Sequence, residues 1–199
     1  PHQIPEKMER VAKIVMEKYK IRIDKVRTVK ELKEKYGYSY FDVIDAAYQP
    51  LYNFQPLTQR QKEYYAEMYF PLINFDFITI AINEHDEIVG VGIGMPDISK
   101  ALQETRGKLF PFGWVKLLRA LKAKQMDTFN LLLIAVRPDY QNKGVNAMLF
   151  VDMFTNLTKL GFKYAETSAE LETNIRVQQL WNSFEKEQHK KRWVFGKEI

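Results

Sequence analysis

Leu131-Leu132-Leu133-Ile134-Ala135-Val136, followed by Arg137-Pro138-Asp139-Tyr140-Gln141-Asn142-Lys143-Gly144-Val145-Asn146, is the stretch whose reading decides the fold. The continuous apolar run, bounded by Pro138, reads as a central strand buried on both faces with parallel neighbours. From Asn146 to Leu160, apolar Ala147, Phe150, Phe154, Leu157 and Leu160 recur three or four apart, and Gly161 stands where a C-terminal cap belongs. Phe162 to Thr167 reads as the next strand. The result is a strand, helix, strand unit with a right-handed crossover and a ligand crevice beyond the carboxyl end of its first strand. The turn from Tyr140 to Asn146 aims backbone N–H groups outward at the positive end of a helix, and Lys143 adds a charge, so the turn predicts a phosphate cradle. It is neither a P-loop nor a dinucleotide fingerprint.

Working outward, Phe77 to Ile82 and Ile88 to Met95 are strand-like runs joined by the polar turn Asn83 to Glu87, a β-hairpin. Gly90, Gly92 and Gly94 fall on one face of its second strand, which leaves room either for a ligand or for a closely packed helix. Before the hairpin the period is helical. Met8, Val11, Ala12, Val15 and Met16 make an amphipathic helix, with a short strand following at Ile21 to Ile23. Thr28 with Glu31, and Thr58 with Gln61, are capping-box patterns opening further helices, and a helix over Phe41 to Tyr48 lies between. After the hairpin, residues 96–113 form a structured excursion leading into a basic helix from about Trp114 to Lys124, whose Lys116, Arg119, Lys122 and Lys124 read as a solvated face.

The bulk properties exclude more than they assign. With 199 residues, 46% hydrophobic, one sizeable core is expected. No apolar run approaches the roughly 20 residues of a membrane span, there is no leader pattern and no cysteine, so a cytoplasmic location and no membrane partner are expected. The net charge of +5 comes without a block of like charges, so nucleic acid is not expected as a partner. His2, His85 and His189 lie far apart with no second ligand at a metal spacing, so no metal is expected.

Val136-Arg137-Pro138-Asp139-Tyr140-Gln141-Asn142-Lys143-Gly144 resembles the acyl-CoA motif of the GNAT acyltransferase superfamily, in which a strand ending in V-x-P precedes Q/R-x-x-G-x-G/A. Gln141 and Gly144 match. Asn146 stands where the family prefers Gly or Ala, a side chain that either crowds a pyrophosphate or caps the helix. The likeness extends to the C-terminal lobe of a two-lobed bacterial GNAT-like group in Gly90 to Asp97, Gly107 to Gly113 and Glu166 to Asn174, ending in a basic-aromatic strand like Lys190 to Phe195. It implies an α/β (α+β) fold with a mixed central sheet, a hairpin, a central strand-turn-helix cofactor unit and flanking helices. It implies acetyl-CoA or another acyl-CoA as cofactor, held by the turn Gln141, Asn142, Lys143, Gly144, Val145, Asn146 and, at a splay between two parallel strands, by the backbone of Ile134, Ala135 and Val136. It also implies that residues 1–20 are a linker helix from an N-terminal lobe of the same protein, with the GNAT-like domain over 21–199.

Transfer to an amine needs a base, an oxyanion donor and an acid. GNAT enzymes often place a Tyr acid seven residues after an Asn on the last helix. Asn174 fits the Asn, but the seventh position is Trp181, whose indole N–H donates a hydrogen bond and delivers no proton to a thiolate. The resemblance places Asn174 and Trp181 at the cofactor, and the acid is then another group, Tyr140 the candidate with Tyr164 as the alternative, or water, unless the lobe is not catalytic. Glu166, Glu170 and Glu172 share one side if their strand continues, with Glu166 the candidate base. The competing reading makes them edge carboxylates matched to Lys190, Lys191 and Arg192. The expected activity is N-acylation of a small-molecule or peptide amine. The alternatives are a non-catalytic lobe that binds acyl-CoA or scaffolds a partner lobe, and an aminoacyl transferase acting on charged tRNA.

Overall fold

The apolar run from Leu131 becomes part of the fourth strand of a five-stranded sheet in the computed structural model, which describes residues 4–122 and 127–197. His2 and Lys124, named above, lie outside these residues. The chain begins with α1 (Glu6–Tyr19) and β1 (Arg22–Asp24). Three helices follow, α2 (Val29–Tyr36), α3 (Ser39–Tyr48) and α4 (Gln59–Tyr69), and then the hairpin of β2 (Ile78–Ile82) and β3 (Ile88–Pro96). An excursion carries α5 (Ser99–Thr105) and α6 (Gly113–Lys122). The strand, helix, strand unit is β4 (Thr128–Val136), α7 (Val145–Lys159) and β5 (Tyr164–Thr167), after which comes the short α8 (Ile175–Leu180). The strands lie in the order β1-β2-β3-β4-β5, antiparallel throughout except for the parallel pair β4 and β5. The expectation of parallel neighbours on both sides of β4 is thus corrected on the β3 side, since β3 arrives from a hairpin strand and reaches β4 through α5 and α6 rather than by a direct crossover.

Both local helix signals at threonines appear in the structure. Thr28 Oγ1 accepts from the Glu31 N–H, and at α4 the full reciprocal box of Thr58 and Gln61 forms. Helices α2, α3 and α4 cover one face of the sheet, packing Leu32, Tyr40, Val43 and Ala66 on Ile78, Ile80, Val91 and Ala135. Helices α1 and α7 cover the other, where Ala12 and Val15 of α1 meet Val145, Met148 and Leu149 of α7 over Ala81 and Val89.

The three glycines of β3 face this second layer. A Cβ on Gly90 stands 3.1 Å from Val145 and 3.2 Å from Leu149, and one on Gly92 stands 3.1 Å from Met153 and 2.8 Å from Thr79. One on Gly94 runs into the Phe129 ring at 2.2 Å. The bare face is filled from within the protein, by α7 at Gly90 and Gly92 and by the Phe129 ring of β4 at Gly94. Past β5 the expected basic-aromatic strand is absent: residues 184–197 carry no strand, and Val194 and Phe195 are 99% and 89% exposed.

Candidate functional site

The parallel pair is short. β4 and β5 are in register only from Thr128 with Tyr164 to Leu131 with Thr167, and the Ser168 N–H closes the ladder on the Leu131 carbonyl. Beyond that point β5 ends, while β4 runs on to Val136. A gap therefore opens along one edge of β4 over residues 132–136. It also explains why this strand is less buried than an apolar run predicts, with Leu132 38% exposed.

The backbone facing the gap can be identified. Pairing with β3 shifts by one residue between Ile93 and Gly94, leaving Leu132 as an extra residue in β4. The Arg137 N–H donates to the Val89 carbonyl at 2.9 Å, so by alternation Ala135 and Leu133 direct their backbone groups to β3. Ile134 and Val136 direct theirs into the gap. Of the three residues expected to offer backbone there, Ile134 and Val136 are so placed and Ala135 is not. Two side chains hold the exposed carbonyls: the Tyr48 hydroxyl donates to Ile134 at 3.0 Å, and Gln141 Nε2 donates to Val136 at 3.1 Å. Gln141 Oε1 in turn accepts from Arg176 of α8 at 2.8 Å, so one side chain ties the end of β4 to the far side of the gap. Burial raises the Tyr48 phenol above its ordinary value, partly offset by the bond to Ile134. It stays protonated at neutral pH.

The gap ends on the predicted turn. Asn142 and Gly144 both adopt left-handed backbone, with φ of 62° and 87°, and no side chain caps α7. Gly144 is the N-cap, so Asn146 is the second helical residue and does not cap, which answers the alternative posed for it. An uncapped first turn of a 15-residue helix presents orphan N–H groups at its positive end, and no acidic side chain stands in that turn. This fits a phosphate. Gly144 has a second constraint, for a Cβ there lies 2.7 Å from Val11 and 3.0 Å from Val15 of α1.

Tyr140 is directed elsewhere. Its ring lies between the Lys143 ammonium, 4.6 Å from the centroid, and the Arg137 guanidinium at 4.8 Å, and its hydroxyl accepts from Asn83 of the hairpin at 3.4 Å. That is the β3 side of β4, away from the gap, so Tyr140 is no proton donor there. Arg137 is itself pinned by Asp139 at 2.8 Å and Glu87 at 3.2 Å.

Glu166 sits beside Asn130, next to the closed end of the gap, bound to Lys190 at 2.5 Å and 3.5 Å from His189. Of the competing reading, which matched the glutamates to Lys190, Lys191 and Arg192 across a sheet, one ion pair is present, Glu166 with Lys190, and it forms by side chain with no strand pairing. The three glutamates do not line up, because β5 ends at Thr167, and Glu170 instead accepts the Trp181 indole N–H at 2.8 Å. Asn174 is the N-cap of α8, accepting from the Val177 N–H, and Trp181 packs edge-on to Phe150. Sequence reasoning missed Tyr48: it lies in a helix with no motif, and only the tertiary fold brings it to β4.

No family model matches the chain. Among curated proteins, Protein YghO of Escherichia coli (strain K12) is 26% identical over 162 residues, covering 79% of this chain and 41% of that protein. Bacterial ceramide synthase of Caulobacter vibrioides (strain NA1000 / CB15N) is 29% identical over 138 residues, covering 67% of this chain and 35% of that protein. The chain thus spans about two fifths or less of the curated relatives it matches. Among solved structures, an aminoglycoside acetyltransferase from an uncultured soil metagenomic sample in complex with sisomicin aligns with a TM-score of 0.57 at 12% identity, over 92% of this chain and 99% of that one. The PaiA N-acetyltransferase of Thermoplasma acidophilum in complex with coenzyme A aligns with a TM-score of 0.52 at 11% identity, over 86% and 92%. The fold is that of the GNAT acetyltransferases.

Proposed function

We propose that this chain is an acyl-CoA-dependent N-acyltransferase domain that passes an acetyl or longer acyl group directly to an amine. The observation that carries this reading is the gap between β4 and β5, open from residue 132 and ending on an uncapped helix N-terminus with two left-handed residues in its turn. The backbone N–H groups of residues 142–146 would hold a pyrophosphate, with the Lys143 ammonium, which rests against the Tyr19 and Tyr140 rings, swinging toward it, and the backbone of Ile134 and Val136 would hold a pantetheine arm. When bound, an acyl-CoA supplies an activated thioester carbonyl. The acceptor is a small-molecule or peptide amine; a relative named as a ceramide synthase, whose product is an amide, is in keeping with this.

Tyr48 replaces Tyr140 as the donor in the gap. When the Ile134 carbonyl takes another donor, the phenol is released beside it and can donate to a developing oxyanion. A phenol raised by burial suits hydrogen-bond donation better than full proton transfer, so the thiolate is left to solvent. Glu166 is the base, once its pair with Lys190 opens. A panel of amines tested with acetyl-CoA and longer acyl-CoAs, reading free thiol, checks the assignment. Amine-dependent thiol release that Glu166→Gln lowers about a hundredfold in kcat is the expected result.

A second reading is favoured by a specific observation: both gap-facing carbonyls, and Glu166 as well, are held by protein side chains. In that reading the domain holds acyl-CoA without turning it over. Saturable CoA binding with no thiol release from any amine would favour it over the first.

A further inference from the structure

The excursion between β3 and β4, like the C-terminal residues 163–197, contributes no buried residue to the core. None of the residues from 97 to 121 is buried, and Phe110 is 83% and Phe112 74% exposed, with Leu109, Trp114 and Leu118 also on the surface. These side chains are presented by a fixed turn. The Trp114 N–H donates to Leu109, Val115 to Phe112 and the Trp114 indole to the Pro111 carbonyl, at 2.9, 3.2 and 3.1 Å. A Cβ on Gly113 falls 1.8 Å from the Lys108 carbonyl, so the turn is closed as tightly as a glycine permits. Exposed aromatic rings held rigidly outward are costly in water and signal a contact surface.

Charge identifies the occupant. From Ser99 to Lys122 six basic residues stand against one acidic residue, Glu104, a net +5. The whole chain carries +5, so the remaining residues balance to zero and the basic excess belongs to this excursion. Lys108 in the turn and Arg119 in α6 are both exposed. Rigid Phe and Trp side chains beside Lys and Arg, on a short amphipathic helix, are the chemistry that seats in the headgroup layer of an anionic bilayer. A protein partner of matching shape would need a compensating acidic surface around an apolar centre.

We propose that the turn 108–114 and helix α6 form a peripheral docking surface for an anionic lipid bilayer. No helix among the described residues is long and apolar enough to cross a membrane, so the attachment is interfacial, and it departs from the expectation of no membrane partner. Its position has a consequence. The excursion joins β4 at its Thr128 end, where the Asp97 N–H donates to the Thr128 carbonyl, while the phosphate-type turn lies past Val136, about 30 Å along the strand. The closed end of the gap at Leu131 lies between, nearer the docking surface. A second exposed basic-aromatic segment is tied to this end of the sheet by the Lys190 bond to Glu166, beside Asn130, and includes Trp193 at 64% exposure. An amine embedded in the same bilayer would meet the gap from the side opposite the phosphates.

The proposal does not depend on acyl transfer, and vesicle binding reads it without CoA or amine. The 199-residue chain is sedimented with vesicles of phosphatidylcholine alone and of phosphatidylcholine with phosphatidylglycerol. Binding to the anionic vesicles only is expected, weakening as salt rises. Phe110→Ser with Phe112→Ser, and separately Lys108→Glu with Arg119→Glu, should each lower it on the order of tenfold with unchanged melting temperature, because all four side chains are exposed. Failure to bind the anionic vesicles at low salt overturns the proposal, as does binding that the Phe pair leaves untouched. So does a chain that ignores vesicles but changes from dimer to monomer with the Phe pair, which assigns the surface to a second copy.

Discussion

Tyr48 and Tyr140 show what a single residue's sequence context conveys. Tyr140 adjoins the motif and was the natural choice for an acid, yet its ring is drawn to the hairpin side by Arg137, Lys143 and Asn83. Tyr48 has no motif and reaches the gap only because α3 packs on β4. Tyr48→Phe keeps the ring that meets Phe54 edge-on and removes only the bond to Ile134, so it should cost about 1 kcal/mol of stability. Under the proposed chemistry the same change lowers kcat about a hundredfold while CoA affinity is kept or improved, since a carbonyl in the gap is released. Equal kcat in the variant would remove Tyr48 from the reaction. Because burial raises this phenol, its donor form persists through neutral and mildly alkaline solution, and no loss of rate from its ionisation should appear below about pH 10.

At the scale of elements, hairpin, capped helices and the strand-turn-helix were legible because each is written in local spacing and cap chemistry. What covers a face was not, for the glycine row of β3 reads the same under a ligand as under α7. Gly90→Val tests the packing: the new side chain meets Val145 and Leu149 at the sheet side of α7 and should cost about 1–3 kcal/mol, read by denaturant unfolding. The α3–α4 contact carries its own anchor. Lys62 is buried, with its ammonium 2.7 Å from Asp42 and 2.8 Å from Asp45. Burial by itself lowers that ammonium, and the two carboxylates outweigh it and raise it above its ordinary value. The stabilisation it gives is therefore full below the unfolded lysine value of about 10.5 and is lost as pH rises through the folded one. Asp45→Ala leaves Lys62 with only the exposed Asp42 and should cost about 2 kcal/mol at neutral pH, the penalty shrinking in strong alkali.

For the whole molecule, the mixed sheet and the gap are both implied by the family resemblance, whereas the apolar run of β4 by itself predicts parallel neighbours on both sides and no gap. The gap arises because β5 stops at Thr167 while β4 continues, a difference in strand length that no residue of β4 announces. The missing C-terminal strand has a similar origin, since Lys190 to Phe195 alternates well enough for a strand but pairs through Lys190 with Glu166 by side chain alone. The central claim is that this gap and the turn after it hold a CoA. Titration calorimetry with CoA measures that without any knowledge of the amine. The account predicts saturable one-to-one binding that Lys143→Glu weakens about tenfold, by reversing the charge at the α7 N-terminus while leaving the fold intact. No binding at millimolar CoA, or binding indifferent to Lys143→Glu, would contradict it.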